Sequence, residues 1–123
     1  MPSRPGRRIA LTIAGSDPGG GAGIQADLKV FAAMGVYGYS ALTAVIAQNS
    51  SSVGRIQAVS PAIVTAQIEA LAAEKMPDAL KTGALTNAAI VRAVAHTISA
   101  LRLPAPVVEP GMVSSAGARL LGR

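Results

Sequence analysis

Ile9-Ala-Leu-Thr-Ile-Ala14 runs directly into Gly15-Ser-Asp-Pro-Gly-Gly-Gly-Ala-Gly23, and Ile24-Gln-Ala-Asp-Leu-Lys-Val-Phe-Ala-Ala-Met34 follows. A six-residue apolar run closed by glycine reads as a strand buried on both faces, as strands of parallel sheets are. Ile24, Leu28 and Phe31 recur at i, i+4 and i+7, which predicts a helix over 24–34, and Gly35 stands where a helix C-terminal glycine belongs. Strand, glycine turn and helix in this order open a β-α-β unit. The turn then lies at the carboxyl end of the strands, where open α/β sheets bind ligands.

The same alternation continues outward. Residues 39–47 form a second apolar run, rich in Ala, Val and Ile, before the polar cluster Gln48-Asn-Ser-Ser-Ser52, and read as a second buried strand. Ser60-Pro61 has the chemistry of an N-cap followed by proline at the first helical position. The helix it opens runs to about Ala73, with Ile63, Ile68 and Leu71 for its buried face. Residues 79–82 make a short strand ended by Gly83. Asn87 caps a helix to about Leu101 that carries Ile90, Val94 and Ile98 at four-residue spacing. Residues 106–109 are a further strand. Strand, helix, strand, helix, strand, helix, strand argues for an α/β fold on a mostly parallel sheet. A basic tail, residues 1–8, precedes one domain over 9–123, with no internal repeat and no linker.

Composition narrows the function. The chain has 123 residues, half of them apolar, yet Phe31, Tyr37 and Tyr39 are its only aromatic residues. Its core is therefore built from Ala, Val, Ile and Leu. The net charge of +5 suggests nucleic acid until its distribution is read. Arg4, Arg7 and Arg8 lie in the N-terminal tail, and Arg119 and Arg123 at the other end. Between them Lys29, Arg55, Lys75, Lys81, Arg92 and Arg102 are balanced by Asp17, Asp27, Glu69, Glu74, Asp78 and Glu109. No aromatic residues interleave with the basic ones as a base-stacking platform requires, so a nucleic-acid partner is not expected. Cysteine is missing altogether, which excludes disulfides and thiol chemistry and fits a reducing, cytoplasmic setting. No apolar stretch approaches a membrane span. Lone His96 is expected on a helix surface.

The glycine turn invites two phosphate-binding readings. Glycines let a backbone approach its ligand, and a helix start offers free N–H groups. Gly21-Ala-Gly-Ile-Gln-Ala26 matches the G-x-G-x-x-A dinucleotide pattern, but an acid is expected about 20 residues on, and Gln48 and Asn49 stand there instead. A Walker A loop needs Gly-Lys-Ser/Thr, and no lysine directly follows these glycines.

A third reading comes from resemblance. The stretch Leu11-Thr-Ile-Ala-Gly-Ser-Asp-Pro-Gly-Gly-Gly-Ala-Gly-Ile-Gln-Ala-Asp-Leu-Lys29 resembles the N-terminal signature of the hydroxymethylpyrimidine and phosphomethylpyrimidine kinases of thiamine biosynthesis. Leu42-Thr-Ala-Val-Ile-Ala-Gln-Asn-Ser50, Lys81-Thr-Gly-Ala-Leu85 and Val107-Val-Glu-Pro-Gly-Met-Val113 resemble three later stretches of that family in order and spacing. The resemblance implies a ribokinase-like three-layer α/β/α sandwich, and ATP and Mg2+ as cofactors. It implies a small aminopyrimidine alcohol as partner, and a family that commonly forms homodimers.

For the site, the resemblance implies substrate-binding positions at Gly15, Asp27, Gln48 and Gly83. A side-chain amide such as Gln48 can meet an aminopyrimidine edge with one donor and one acceptor. The Asp27 carboxylate can accept from an amino or hydroxymethyl group. Several positions depart from the family pattern: Ala84 in place of Met, Glu109 of Asp, Gly111 of Val and Ser115 of Lys. Family members are about twice this length, and their later half carries most of the ATP site and the catalytic residue. No catalytic residue is therefore assigned in these 123 residues, which are expected to supply the substrate-binding half. A pyrimidine-binding fragment without catalysis and a pyridoxal or pyridoxine kinase relative remain as alternatives. The turn at 15–23, Gln48 and Gly83 are expected to converge at one edge of the sheet.

Overall fold

A computed structural model describes residues 6–110. Four parallel strands form the sheet in the order β2-β1-β5-β6, from β1 (Ile9–Ala14), β2 (Tyr37–Leu42), β5 (Ala79–Thr82) and β6 (Val107–Val108). Helix α1 (Gly23–Ala33) links β1 to β2, α2 (Pro61–Glu74) leads to β5, and α3 (Ala88–Ala100) leads to β6. Gly111 and Ser115, two of the departures from the family pattern, lie outside the described residues, as do Arg4, Arg119 and Arg123.

Alternation along β1 separates the two faces of the sheet. Ile9, Leu11 and Ile13 point one way into a core shared with Tyr39, Ala41, Val64, Ile68, Leu80, Ile90 and Val94. That face is covered by α2 and α3. Thr12 points the other way and donates to Asp27 of α1. The α1 face is close-packed because Gly38 of β2 has no side chain: a Cβ there would lie 2.7 Å from Leu28 Cδ2 and 3.1 Å from Phe31 Cδ2. Helices on both faces of a parallel sheet give the expected three layers.

Helix boundaries follow the expected caps. The Ser60 hydroxyl accepts from the Ile63 N–H at 3.3 Å, and Asn87 Oδ1 accepts from the Ile90 N–H at 2.9 Å. Gly35 follows α1 at a φ of +73°. The face of α2 differs from expectation in one residue: Ile63 is exposed, while Val64 next to it is fully buried. Ile68 lies on the same face as Val64, four residues on, so the apolar stripe starts one position later than the sequence suggested.

The second apolar run departs more. Residues 39–47 are not one strand. β2 starts at Tyr37 and stops at Leu42, and after Thr43 the chain leaves the main sheet as β3 (Ala44–Gln48). β3 pairs antiparallel with β4 (Val53–Ala58), a strand the sequence reading left out, in a separate two-stranded sheet. The physical cause lies at Thr43. Its N–H donates to the Ala14 carbonyl at 2.9 Å, its carbonyl accepts from Val59 at 2.8 Å, and its hydroxyl donates to the Ala84 carbonyl at 2.7 Å. These three bonds end the parallel ladder and turn the chain over the carboxyl ends of β1 and β5.

Candidate functional site

The carboxyl ends of β1 and β5, the glycine turn and the β3–β4 hairpin meet at one edge. Gly15 sits at the end of β1 beneath the hairpin. A Cβ on it would come within 2.9 Å of Ile46 Cδ1 and 3.7 Å of the Ala44 carbonyl oxygen. Ser16 bonds the two parts together: its N–H donates to the Ala44 carbonyl at 3.0 Å, and its hydroxyl accepts from the Ile46 N–H at 3.1 Å. Gln48, at the end of β3 where the register with β4 shifts, directs Nε2 to the Ser16 carbonyl at 3.5 Å. That distance is at the long limit for a hydrogen bond. Gly83 ends β5 on the other side of Ala14. A side chain there would meet the Ala14 Cβ at 2.9 Å and the Lys81 ammonium at 3.7 Å. The turn, Gln48 and Gly83 thus converge as expected.

Asp27 stands below this edge on α1, and its surroundings bring in residues that the sequence reading had not assigned to the site. The Thr12 hydroxyl donates to Oδ2 at 2.6 Å, and the Lys81 ammonium lies 3.0 Å from Oδ2 and 3.1 Å from Oδ1. Lys81 also reaches Glu109 Oε2 at 3.3 Å. The Asp27 and Lys81 side chains are only 17% and 21% exposed, whereas Glu109 is 69% exposed. The pair is therefore a largely desolvated one with an outer carboxylate in water. Asp27 meets Gly83 through Lys81, and Gln48 meets Gly15 through Ser16 and Ile46. Two signals could have found the network: Thr12 is a hydroxyl inside an otherwise apolar strand, and Lys81 is a charge inside a short buried one.

Nine residues from Gly15 to Gly23 fold around a carboxylate of their own. Asp17 Oδ1 accepts from the Gly19 N–H at 3.0 Å, and Oδ2 accepts from the Gly21 and Ala22 N–H groups at 2.9 Å each. The Asp17 N–H donates to Gln25 Oε1 at 2.7 Å, and the Gly20 N–H donates to the Asp17 carbonyl at 2.9 Å. Ile24, in the first turn of α1, donates to the Gly15 carbonyl at 3.0 Å. Gly23 is required sterically: at a φ of +58°, a Cβ would collide with the Gly15 carbonyl oxygen. At the helix start itself the Gly23 and Gln25 N–H groups have no acceptor among the described residues, as expected, while the N–H groups of the turn ahead of it are taken. An aspartate just before a run of glycines has curled back and taken donors that a phosphate would have used.

Magnesium, implied by the resemblance, finds no site here. Among the described residues no group of three or more His, Cys, Asp or Glu side chains could hold a metal ion. Asp17 is saturated by backbone donors and Asp27 is paired with Lys81. His96 is exposed on α3, as expected. Among the described residues no helix is long and apolar enough to cross a membrane.

This architecture is shared with solved structures. A phosphomethylpyrimidine kinase from Clostridium difficile superposes with a TM-score of 0.86 at 40% identity, over 94% of this chain and 50% of that one. A Bacillus subtilis pyridoxal kinase, solved as an ADP complex, does so with a TM-score of 0.79 at 40% identity, over 86% of this chain and 42% of that one. The fold is that of the ribokinase-like kinases. In sequence, the hydroxymethylpyrimidine/phosphomethylpyrimidine kinase of Synechococcus elongatus is 54% identical over 113 residues, which are 92% of this chain and 43% of that enzyme. The chain belongs to the phosphomethylpyrimidine kinase family, whose model matches residues 17–123. It spans about two fifths to one half of the length of these relatives.

Proposed function

We propose that this chain carries the alcohol-binding part of a kinase that phosphorylates hydroxymethylpyrimidine, and its monophosphate, with ATP in thiamine biosynthesis. Gly15, Asp27, Gln48 and Gly83 line the pocket in this reading. The observation that carries it is the state of Gln48. Its Nε2 makes one long bond, and its Oε1 has no partner among the described residues. An amide held at a ligand edge with its acceptor unused suits a ring that offers both an amino group and a ring nitrogen. Asp27 adds a carboxylate whose Oδ1, among the described residues, accepts only from Lys81, which leaves a lone pair for a hydroxymethyl or amino group. Gly15 and Gly83 keep the floor free of side chains.

Among the described residues no group of three or more His, Cys, Asp or Glu could hold a metal ion, and no phosphoryl-transfer step is assigned to them. In this reading these residues bind and orient the aminopyrimidine ring and its hydroxymethyl arm. The likeness to pyridoxal kinases supports a second reading, in which a pyridine alcohol takes the same place. Calorimetric titration of the chain with hydroxymethylpyrimidine and, in parallel, with pyridoxine separates the two. The pyrimidine is expected to bind more tightly. Tighter binding of pyridoxine would favour the second reading, and no heat from either would sink both.

A further inference from the structure

Gln67, on α2, meets the main chain where the hairpin leaves the sheet. Its Oε1 accepts from the Leu42 N–H and its Nε2 donates to the Leu42 carbonyl, both at 2.9 Å. β2 is an edge of the sheet, with β1 on one side and none of the described strands on the other. A side-chain amide that exchanges both bonds with one residue does what the facing residue of an antiparallel strand would do. Leu42 is the last residue of β2, and the chain turns into β3 directly after it.

The helix that carries Gln67 is itself fixed. Val64 and Ile68, on either side of it, are fully buried, and the Thr65 hydroxyl lies 3.0 Å from that of Thr97 on α3. Gln67 therefore reaches the chain from a rigid base. Ser16 holds the hairpin from another direction, through Ala44 and Ile46. Gln48 lies six residues beyond Leu42, up to about 20 Å along an extended chain. Over that length a tilt of about 10° at the root carries the end about 3 Å, more than a hydrogen bond tolerates.

We propose that Gln67 is a positioning residue for the ligand edge: by bonding both backbone groups of Leu42 it sets the angle at which the β3–β4 hairpin holds Gln48 over the carboxyl ends of β1 and β5. The ligand in this picture is that of the proposed function; the clamp on the hairpin root does not depend on it. Gln67 itself touches no ligand. It is half-buried, so water takes over part of its bonding when it is removed. Its loss is therefore felt in the placement of the hairpin more than in the stability of the core.

The test uses the full chain and two variants. Gln67→Met keeps the length and the helix propensity and removes both bonds. Gln67→Glu keeps the shape and the acceptor for the Leu42 N–H, and lacks the donor for its carbonyl. In native-state amide hydrogen exchange, the Leu42 and Ile46 amides of Gln67→Met are expected to exchange about tenfold faster or more than in wild type, with the amides of β1 and β5 unchanged. Unaltered exchange at Leu42 and Ile46 would overturn the proposal. So would an equal acceleration throughout β1 and β5, which would make Gln67 a contributor to global stability alone. Should Gln67→Met fail to fold, Gln67→Glu decides, read at the Ile46 amide. Calorimetric titration is the arm that rests on the proposed function. Hydroxymethylpyrimidine affinity should fall about fivefold or more in Gln67→Met, although every pocket residue is intact. Affinity equal to wild type would overturn the positioning role. A wild type that binds no pyrimidine would instead sink the function, and the exchange result, which needs no ligand, then decides the clamp by itself.

Discussion

At the scale of single residues, two side chains of the edge are expected to behave in opposite ways when removed. Gln48 contributes little to the fold, since its one bond to Ser16 is 3.5 Å long. Gln48→Ala should therefore leave the melting temperature within about 2 °C of wild type. It should weaken hydroxymethylpyrimidine binding about tenfold or more in calorimetry, the cost of losing a partner on a buried ligand edge. A shift in melting temperature without loss of affinity would make Gln48 a cap and nothing more. Lys81 is the reverse case. Lys81→Met strands the Asp27 carboxylate at 17% exposure with only Thr12 as partner, and should cost about 1–3 kcal/mol in urea unfolding. Adding Asp27→Asn should recover part of that loss, a coupling that a double-mutant cycle measures directly. Additive losses would mean that the two groups do not interact. The placement of Gln48 and Asp27 near the glycine turn was legible in the sequence through the motifs that contain them. Asp17 was visible only as a charge in a turn, because its role depends on which way the backbone N–H groups point, and residue types do not encode that.

At the scale of elements, the helices were the legible part. Their caps are local chemistry, a side-chain oxygen three residues ahead of an N–H, and both Ser60 and Asn87 perform it. The two are not equal. The Asn87 bond is 2.9 Å and half-buried, the Ser60 bond 3.3 Å and exposed. Asn87→Ala is expected to cost about 1 kcal/mol and Ser60→Ala less, as read by urea midpoints at constant slope. Equal losses would show that the bond lengths do not reflect strength. The β2–β3 boundary was not legible. Residues 39–47 are uniformly apolar or small, so nothing in the pattern marks Thr43 as the place where one ladder ends. Its hydroxyl finds the Ala84 carbonyl, 41 residues away, and such a contact exists only in the folded chain. β4 escaped for a related reason. All its residues except Val53 are exposed, so it has no alternating buried face to read.

At the scale of the molecule, the proposed alcohol-binding edge comes, among the described residues, with no group of three or more His, Cys, Asp or Glu that could hold a metal ion. With hydroxymethylpyrimidine and ATP, the purified chain is expected to give no product above a no-enzyme control in a coupled kinase assay. Turnover that is lost in Asp27→Ala would show that the division of labour has been misread. The outer strand β6 exposes Val107 at 72% and Val108 at 63%, and none of the described strands pairs with its outer edge. Unpaired apolar edges recruit other chains. Light scattering should show association that grows with concentration and diminishes in Val108→Lys; a strictly monomeric chain at all concentrations would contradict this. The hairpin has a different consequence. It carries Gln48, yet Val45, Arg55 and Gln57 on its strands are exposed and make no part of the main core. In the proposed reading, one residue that would meet the ligand therefore sits on a ribbon whose outward side chains take no part in the main core. A lineage could exchange one ring for another by drift in this short ribbon, generation by generation, while the sheet beneath it stayed as it was.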